Sequence, residues 1–349
     1  LGYLGEQDAI IVLDEFPYLI DADGSLPSVI QRLWDQELQE TGVTLVLVGS
    51  SISMMEEATL LGNSPLYGRF TERLDLRQLN FDAARQFFPE QYTPEQVLFA
   101  WGVFGGTPYY LAGIEADATL GTVIQQSLLS RQGFLHDEPE YVLRTELTEP
   151  NRYFGIMKAI AAGQTTANEI AQTVGIPSKQ LSTYTQKLQR LRLVTREVPV
   201  TEDPTKSRRG RYKIRDPLFR FWFRFVYGKE DRYERLESDA YETVIKPELP
   251  DFVSPAFEAR CQDILPTLYP EVVFTDIARW WYNEHEVDVV GLTNDGTMVT
   301  GECKFTSSPL DYNALSSLEE HTEQIRWAPD GSAVAHEYVL FARNGFTQS

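Results

Sequence analysis

The fold of this chain is decided by the stretch Ile10-Ile11-Val12-Leu13-Asp14-Glu15, in which four apolar residues directly precede two carboxylates. A second apolar run, Thr44–Val48, ends in Gly49-Ser50-Ser51. Short apolar runs of this kind are typical of parallel strands that are buried on both faces. Residues 26–41 between them show helical spacing, so the order strand, helix, strand predicts a βαβ unit in an α/β domain.

The two carboxylates after the first run are candidate functional residues. The carboxyl ends of parallel strands meet at the edge of the sheet where α/β proteins bind their ligands. In nucleotide hydrolases an Asp at this place holds Mg²⁺ and a following Glu polarises the attacking water. Asp14 and Glu15 are therefore candidates for these roles, with capping of a following helix as the alternative.

Composition excludes several classes of protein. The chain has 51 Asp and Glu against 31 Lys and Arg, a net charge of −20, which excludes a uniformly basic nucleic-acid-binding protein. Lys is scarce and the first is Lys158, a composition expected of a salt-adapted organism or of a GC-rich genome. Two cysteines, no long apolar run and no secretory signal predict a cytoplasmic protein without a membrane segment.

Residues 150–215 predict a different kind of domain. Three helical segments are followed by two strand-like runs, at 193–200 and 211–215, which is the order of a winged helix-turn-helix. Residues 206–215 carry six cations in ten positions, which in this acidic chain predicts a wing that contacts DNA phosphates. Packing of the wing on the acidic remainder of the chain is the alternative. The candidate DNA-binding residues are Lys179, Lys187, Lys206, Arg208, Arg209 and Arg211.

The last region begins with an aromatic-rich helix over 216–245 that we expect to be buried, and 250–349 then predicts helix, strand, strand, helix, strand. A turn at 294–296 joins the strands 286–292 and 298–305 into a hairpin. Its two-residue period puts Glu302 and Lys304 on one face, with Asp288 on the neighbouring strand and Glu258 on the preceding helix. Carboxylates beside a Lys predict a Mg²⁺ site, and a cross-strand ion pair between Asp288 and Lys304 is the alternative.

Four motifs of the N-terminal region follow one another in the chain: Asp14-Glu15, Gly49-Ser50-Ser51, Pro65-Leu66-Tyr67-Gly68-Arg69 and Gly105-Gly106-Thr107-Pro108. Taken in order, they resemble the archaeal ATPase family, a branch of the P-loop ATPases related to AAA+ proteins. The resemblance covers residues 8–125 and implies ATP and Mg²⁺ as cofactors and self-association through the ATPase domain. It implies Mg²⁺ binding by Asp14, catalysis by Glu15, γ-phosphate sensing by Ser50 and a phosphate-sensing or finger role for Arg69, for which a solvated loop cation is the alternative.

One motif of that family is missing from the sequence. The phosphate-binding loop Gly-x-x-x-x-Gly-Lys-Ser/Thr normally precedes the Asp-Glu strand, but no Lys precedes Lys158. Either the coding sequence is truncated at its start, which the abrupt beginning favours, or nucleotide binding is lost. On both interpretations we expect this chain to bind ATP poorly.

The C-terminal constellation resembles the PD-(D/E)xK nuclease superfamily, which has the restriction-endonuclease-like fold. That resemblance implies Glu258, Asp288 and Glu302 as metal ligands, and Asp288, Glu302 and Lys304 as catalytic residues. Residues 217–349 also resemble the domain of unknown function that is fused to archaeal ATPases, including the entry Asp216-Pro217-Leu218-Phe219-Arg220-Phe221-Trp222.

The predicted architecture is therefore an α/β multidomain protein. Residues 1–145 would be the C-terminal part of an AAA+-like ATPase domain with a helical lid, 150–215 the winged helix and 216–349 the nuclease-like domain. The predicted function is ATP-regulated action on DNA with metal-dependent cleavage. The alternatives are a non-catalytic DNA-binding or regulatory protein with a vestigial nuclease site, and a defence-type ATPase that acts on an unknown macromolecule.

Overall fold

A computed structural model of the chain describes residues 8–59, 62, 64–328 and 334–347, so the outermost residues of the predicted domains 1–145 and 216–349 lie outside the described part. The described residues divide into two compact units. The first unit comprises the residues up to Arg77 together with Val142–Thr148, and the second comprises Gln78–Tyr141 and the residues from Glu149 onward.

The first unit contains the predicted βαβ arrangement. Its strands pair in parallel from Ile10 opposite Thr44 to Leu13 opposite Leu47. Two helices lie between the strands, and the second of them continues into a π-helical turn at Trp34–Leu38. Its elements are β1 (Ile10–Leu13), α1 (Phe16–Ala22), α2 (Leu26–Leu33), β2 (Thr44–Leu47) and α3 (Ile52–Thr59).

The prediction that both strands are buried on both faces is wrong. One face packs on the helices, where Leu13 and Leu47 contact a core built around Phe16, Ile30 and Leu66. On the opposite face the exposed fraction is 75% for Ile10 and 56% for Val12. Alternate residues of a strand point to opposite faces, and no described layer covers the second face.

The second unit begins with helices that the sequence predicts as the lid of the ATPase domain. The same unit contains the aromatic helix α12 (Pro217–Phe221), in which Phe219 and Phe221, like the following Trp222, are almost fully buried, as the sequence predicts. The predicted helix over 216–245 is interrupted at Gly228, whose φ of 73° lies in the left-handed region. Asp216 caps α12 by accepting a hydrogen bond from the Phe219 amide. The helices are α4 (Phe81–Ala84), α5 (Pro94–Phe104), α6 (Pro108–Ala112), α7 (Leu120–Ile124), α8 (Glu138–Glu146), whose last residues belong to the first unit, α12 (Pro217–Phe221) and α13 (Glu230–Leu236).

Residues 150–214 of this unit form three helices followed by an antiparallel hairpin. The second helix begins with a capping box, in which Thr166 and Glu169 accept hydrogen bonds from each other's backbone amides. It ends at Gly175, whose φ of 71° lies in the left-handed region that favours glycine. The elements are α9 (Pro150–Ala161), α10 (Ala167–Val174), α11 (Ser178–Arg190), β3 (Val194–Glu197) and β4 (Arg211–Ile214).

The C-terminal region is a four-stranded mixed sheet in the order β5-β6-β7-β8. Its first strand, which carries Arg279, is absent from the sequence prediction of helix, strand, strand, helix, strand. The predicted turn is present, with Gly296 at a φ of 88°. The elements are α14 (Leu249–Leu268), β5 (Phe274–Tyr282), β6 (His285–Thr293), β7 (Thr297–Lys304), α15 (Tyr312–Thr322) and β8 (Ala335–Ala342). Within the described ranges, no helix combines the length and the apolarity that a membrane crossing requires.

Candidate functional site

The carboxyl ends of β1 and β2 bring three predicted site residues together. Asp14 and Glu15 follow β1, and the Ser50 hydroxyl, beyond the end of β2, donates a hydrogen bond to the Glu15 carboxylate at 3.1 Å. Glu15 has a φ of 48°, a conformation that non-glycine residues rarely adopt, and it directly precedes α1. The contact between Glu15 and Ser50 supports a shared site at this edge of the sheet.

These residues fit a magnesium–nucleotide group in their chemistry. Asp14 and Glu15 are exposed, and carboxylate oxygens are the ligands that Mg²⁺ prefers. One oxygen of Asp14 already accepts the Glu15 amide at 2.9 Å, which orients the carboxylate at the end of the strand.

Arg69 lies in the same unit but is bound to another residue. Its Nε and Nη2 atoms donate to the two oxygens of Asp35, each at 2.8 Å, and its Nη1 donates to the Pro65 carbonyl at 2.9 Å. The hydrogen bonds to Asp35 raise the pKa of Arg69 and lower that of Asp35. Arg69 is thus neither a freely solvated loop cation nor in described contact with Asp14.

The exposed side of α11, which we call the polar face, has no acidic residue. The helix packs on α10 and β3 through Leu181, Thr185 and Leu188, which are buried. Lys179 lies on the exposed side near the start of the helix, and the half-exposed Lys187 lies in its last turn. The polar face consists of Lys179, Gln180, Ser182, Thr183 and Gln186.

The hairpin that carries the predicted wing is attached to the edge strand β5. Arg209 donates from Nη1 to the Trp281 carbonyl at 3.0 Å, and the Trp281 indole donates back to the Arg209 carbonyl at 3.1 Å. The Val200 amide also donates to the Arg279 carbonyl at 3.0 Å. The hairpin therefore has backbone contacts to the sheet as well as ion pairs.

Several cations of this hairpin are engaged by carboxylates of the same unit. Arg211 pairs with Glu286 at 3.0 Å and stacks 4.6 Å above the Trp281 ring, while Arg209 pairs with Glu202. Lys206 reaches Asp203 at 3.4 Å but keeps a highly exposed side chain. Arg208 is exposed. The arrangement corresponds to the alternative in which the wing packs on acidic parts of the chain.

The C-terminal sheet brings Glu258 and Asp288 together around an arginine. Arg279 on β5 lies 3.3 Å from Glu258 Oε2 through Nη1, and its Nη2 lies 2.7 Å from Glu286 Oε1 and 3.4 Å from Asp288 Oδ1. We call Glu258, Glu286 and Asp288 the carboxylate cluster. The second oxygen of Asp288 accepts the Cys303 amide at 3.1 Å.

Glu302 and Lys304 lie on one face of β7, as the two-residue period predicts, and their side chains form an ion pair. The intervening Cys303 is buried in the apolar core with Cys261, on the opposite face. The alternative interpretation, a cross-strand ion pair between Asp288 and Lys304, differs from this arrangement, because Lys304 pairs with Glu302 on its own strand and Asp288 pairs with Arg279.

Burial is the main cause of the pKa shifts of three carboxyl groups in this region, those of Glu258, Asp288 and Glu302. It raises the pKa of Glu258 to about 7, although the charge of Arg279 opposes the rise. Burial also raises the pKa of Asp288 and of Glu302. For Arg279, burial acts to lower the pKa, but the charges of its three carboxylate partners outweigh burial and raise it. The guanidinium therefore stays charged.

The nuclease-like fold that the sequence predicts would imply a divalent metal here, and the arrangement does not fit one. Carboxylate oxygens are suitable donors, but Arg279 lies among them and Lys304 pairs with Glu302. Throughout the part of the chain that the structure describes, no group of three or more His, Cys, Asp or Glu side chains is placed to hold a metal ion.

The residues that sequence reasoning missed are Arg279 and Glu286. Both depend on β5, which the aromatic run Trp280-Trp281-Tyr282 and the following turn at Asn283 indicate, since aromatic residues favour strands and Asn tolerates the observed φ of 51°. That pattern predicts the strand, but it does not predict which carboxylates Arg279 meets.

Comparison with known proteins supports the predicted resemblance to an archaeal ATPase with a C-terminal domain of unknown function. Residues 4–114 match an ATPase domain predominantly from Archaea, and residues 222–321 match archaeal and bacterial proteins of unknown function. The uncharacterized protein MJECL04 of Methanocaldococcus jannaschii is 32% identical over 293 residues, which are 83% of this chain and 65% of that protein. A second uncharacterized protein of that organism, MJ0424, is 39% identical over 46 residues, 13% of this chain and 45% of its own length.

Proposed function

We propose that the chain is an ATPase-family protein that binds DNA through a winged helix formed by α9–α11 and the hairpin β3–β4. The match of residues 4–114 to an ATPase domain predominantly from Archaea supports the first part of this proposal. The observation that carries this proposal is the polar face of α11. It bears hydroxyl, amide and Lys side chains without a single carboxylate, in a chain whose net charge is −20. Local absence of negative charge is needed for a surface that approaches phosphates.

The positive charge of the hairpin predicts DNA contact, but two of its arginines attach it to the sheet instead. Arg209 and Arg211 hold the hairpin on β5, so they position the domain rather than contact DNA. Lys206 and Arg208 remain exposed and are the wing cations that can reach a phosphate backbone. DNA contact is therefore assigned to Lys179 and Lys187 of α11 together with these two residues.

The ATPase part of the proposal rests on the edge of the first sheet. A bound magnesium–nucleotide would supply the phosphoryl group whose transfer is catalysed. Asp14 would hold Mg²⁺, Glu15 would orient the attacking water, and Ser50 fixes the Glu15 carboxylate by a hydrogen bond of 3.1 Å. Coupling of this site to DNA binding would make the protein an ATP-regulated one.

The C-terminal sheet has two candidate roles. Its Asp288, Glu302 and Lys304 lie on adjacent strands in the order of a metal-dependent nuclease, which favours DNA cleavage. The ion pairs that Arg279 and Lys304 make with these carboxylates favour the other role, a nuclease-like domain without catalysis. We assign it the non-catalytic role because each of those carboxylates has a cationic partner.

DNA binding is tested by fluorescence anisotropy of a labelled duplex at several salt concentrations. Replacing Lys179 and Lys187 together by Gln should weaken binding and reduce the slope of log K against log[salt] by about 1.8, since each lost phosphate contact removes about 0.9. Lys246→Gln is the matched control, because Lys246 pairs with Glu242 on an exposed helical turn elsewhere. An unchanged slope in the double variant would assign DNA binding to another surface.

Cleavage is tested with supercoiled plasmid in Mn²⁺. The non-catalytic assignment predicts equal background nicking by the wild type and by the Asp288→Ala/Lys304→Ala double variant. Nicking by the wild type that disappears in the double variant would instead establish the nuclease, and would leave the DNA-binding result unaffected.

A further inference from the structure

We infer that Arg279 is the resident counter-ion of the carboxylate cluster, that it occupies the place of a divalent metal, and that its removal opens a divalent-cation site. The inference concerns Glu258, Glu286 and Asp288 alone. It goes beyond the proposed function, because it requires neither DNA binding nor nucleotide binding.

The first step is the position of the guanidinium. The three carboxylates approach it from two elements, Glu258 from α14 and the other two from β6. The distances of 2.7 to 3.4 Å from its two terminal nitrogens to oxygens of all three carboxylates put the positive charge inside the cluster. One cation thus bridges two layers of the domain, as a metal does when it joins ligands from different elements.

The second step is the charge that its removal would leave. The exposed fractions of the side chains are 14% for Glu258, 13% for Asp288 and 36% for Glu286. Arg211 pairs with the same oxygen of Glu286 at 3.0 Å, so Glu286 keeps a partner without Arg279, whereas Glu258 and Asp288 lose their ion-pair partner. Buried carboxylates without a counter-charge are strongly unfavourable, so they would recruit a cation or a proton.

The third step is the kind of cation. All the ligands are carboxylate oxygens, and these select hard divalent ions such as Mg²⁺ and Mn²⁺ rather than zinc or copper. Asp288 is also oriented by the Cys303 amide at 3.1 Å, so one ligand keeps its position when the guanidinium is absent. A side chain of similar length without charge at position 279 therefore leaves Asp288 oriented. The described carboxylates, spaced around the guanidinium, do not yet form a metal site and would have to close on the smaller ion.

The experiment compares Mn²⁺ binding by the wild-type chain and by Arg279→Met. Binding is followed by electron paramagnetic resonance of free Mn²⁺, and stability by thermal unfolding. We expect Arg279→Met to bind one additional Mn²⁺ at least tenfold more tightly than any wild-type site, and to gain thermal stability when MnCl₂ is added. Adding Asp288→Asn to Arg279→Met should abolish both gains, and Arg279→Lys, which keeps the charge, should show neither.

Arg131→Met is the matched control, because Arg131 also pairs with two carboxylates, Asp231 and Glu234, but on the surface. Any Mn²⁺ bound at Asp14 contributes equally to the wild type and to all variants, because each of them keeps Asp14, so it does not affect the difference between them. If Arg279→Met does not fold alone, recovery of its helical circular dichroism on adding Mn²⁺ supports the inference and lack of recovery overturns it. Two other outcomes also overturn the inference. One is that the wild type binds Mn²⁺ and that Asp288→Asn removes this binding. The other is that a folded Arg279→Met gains neither Mn²⁺ binding nor thermal stability.

Discussion

Glu258 shows how one residue combines burial with an opposite charge. It sits on α14 beneath the sheet, pairs with Arg279 at 3.3 Å and accepts a weak hydrogen bond from Ser254 at 3.4 Å. Desolvation outweighs these contacts and raises its pKa to about 7, from an ordinary value of 4.5. The side chain therefore changes charge within a pH range in which exposed carboxylates stay ionised.

The sign of the resulting pH dependence follows from proton binding. Between about pH 4.5 and pH 7 the folded chain holds a proton on Glu258 that the unfolded chain has lost, so the free energy of unfolding falls as the pH rises through this interval. We expect Glu258→Gln to flatten this fall by up to about 1.4 kcal/mol per pH unit. Urea unfolding at pH 5, 6 and 7 measures the slope of the free energy of unfolding against pH, and Glu115→Gln, at an exposed position, is the control. Equal slopes in wild type and Glu258→Gln would contradict the raised pKa.

At the scale of elements, the attachment of the hairpin β3–β4 to the edge strand β5 unites two regions that the sequence presents as separate. The Trp281 side chain is 5% exposed, lies under Arg211 and donates its indole hydrogen to the Arg209 carbonyl. An edge strand leaves backbone groups unpaired, and this contact covers one part of that edge. These contacts hold the hairpin beside the carboxylate cluster.

Truncation of Trp281 should therefore destabilise the second unit. We expect Trp281→Ala to lower the free energy of unfolding by about 3–5 kcal/mol, because a large buried side chain and its hydrogen bond are removed. Tyr282→Ala, next in sequence but 47% exposed, should cost no more than about 1 kcal/mol, since it loses chiefly its contact with Arg209. Denaturant unfolding followed by tryptophan fluorescence and circular dichroism compares the two, and similar losses would exclude the proposed role of Trp281.

At the scale of the whole molecule, the described residues form two units, and the chain first passes from one unit to the other through a segment without helix or strand, before Val142–Thr148 return to the first unit. Residues 69–80 contain no regular element, and Leu74 and Leu76 are more than 80% exposed. The match to the archaeal ATPase domain extends from residue 4 to residue 114, so it continues through this segment into the second unit.

Limited proteolysis should reveal this organisation. We expect trypsin to cut first after Arg73 or Arg77, both exposed, and to leave a resistant C-terminal fragment. The hairpin loop also carries the exposed Lys206 and Arg208, but the contacts of Arg209 with Glu202 and the Trp281 carbonyl fix the backbone of the loop, so cleavage there should be slower. Mass spectrometry of early fragments identifies the first cut, and Arg73→Gln/Arg77→Gln should delay it. First cleavage in the hairpin loop would contradict the observed contacts.

Local sequence pattern is sufficient for the elements whose signals lie close together in the chain. The apolar run before Asp14, the burial of the aromatic segment and the hairpin turn at Gly296 are all predicted and present, because propensity and periodicity act between near neighbours. The same reasoning places Glu302 and Lys304 on one face and turns Cys303 into the core.

Contacts between residues that are distant in the sequence could not be predicted from local pattern, because they form only when the chain folds. Arg279 meets Glu258, Glu286 and Asp288 only after β5 pairs with β6 and α14 packs beneath them, and the wing cations find their carboxylates only when the hairpin meets β5. Charge composition predicts a basic wing but carries no information on its partners, since ion pairs depend on distances of a few ångströms across the fold. For that reason the pattern along the chain predicts the candidate residues, whereas the packing of sheet, helix and hairpin sets whether each one faces solvent, a metal or another side chain.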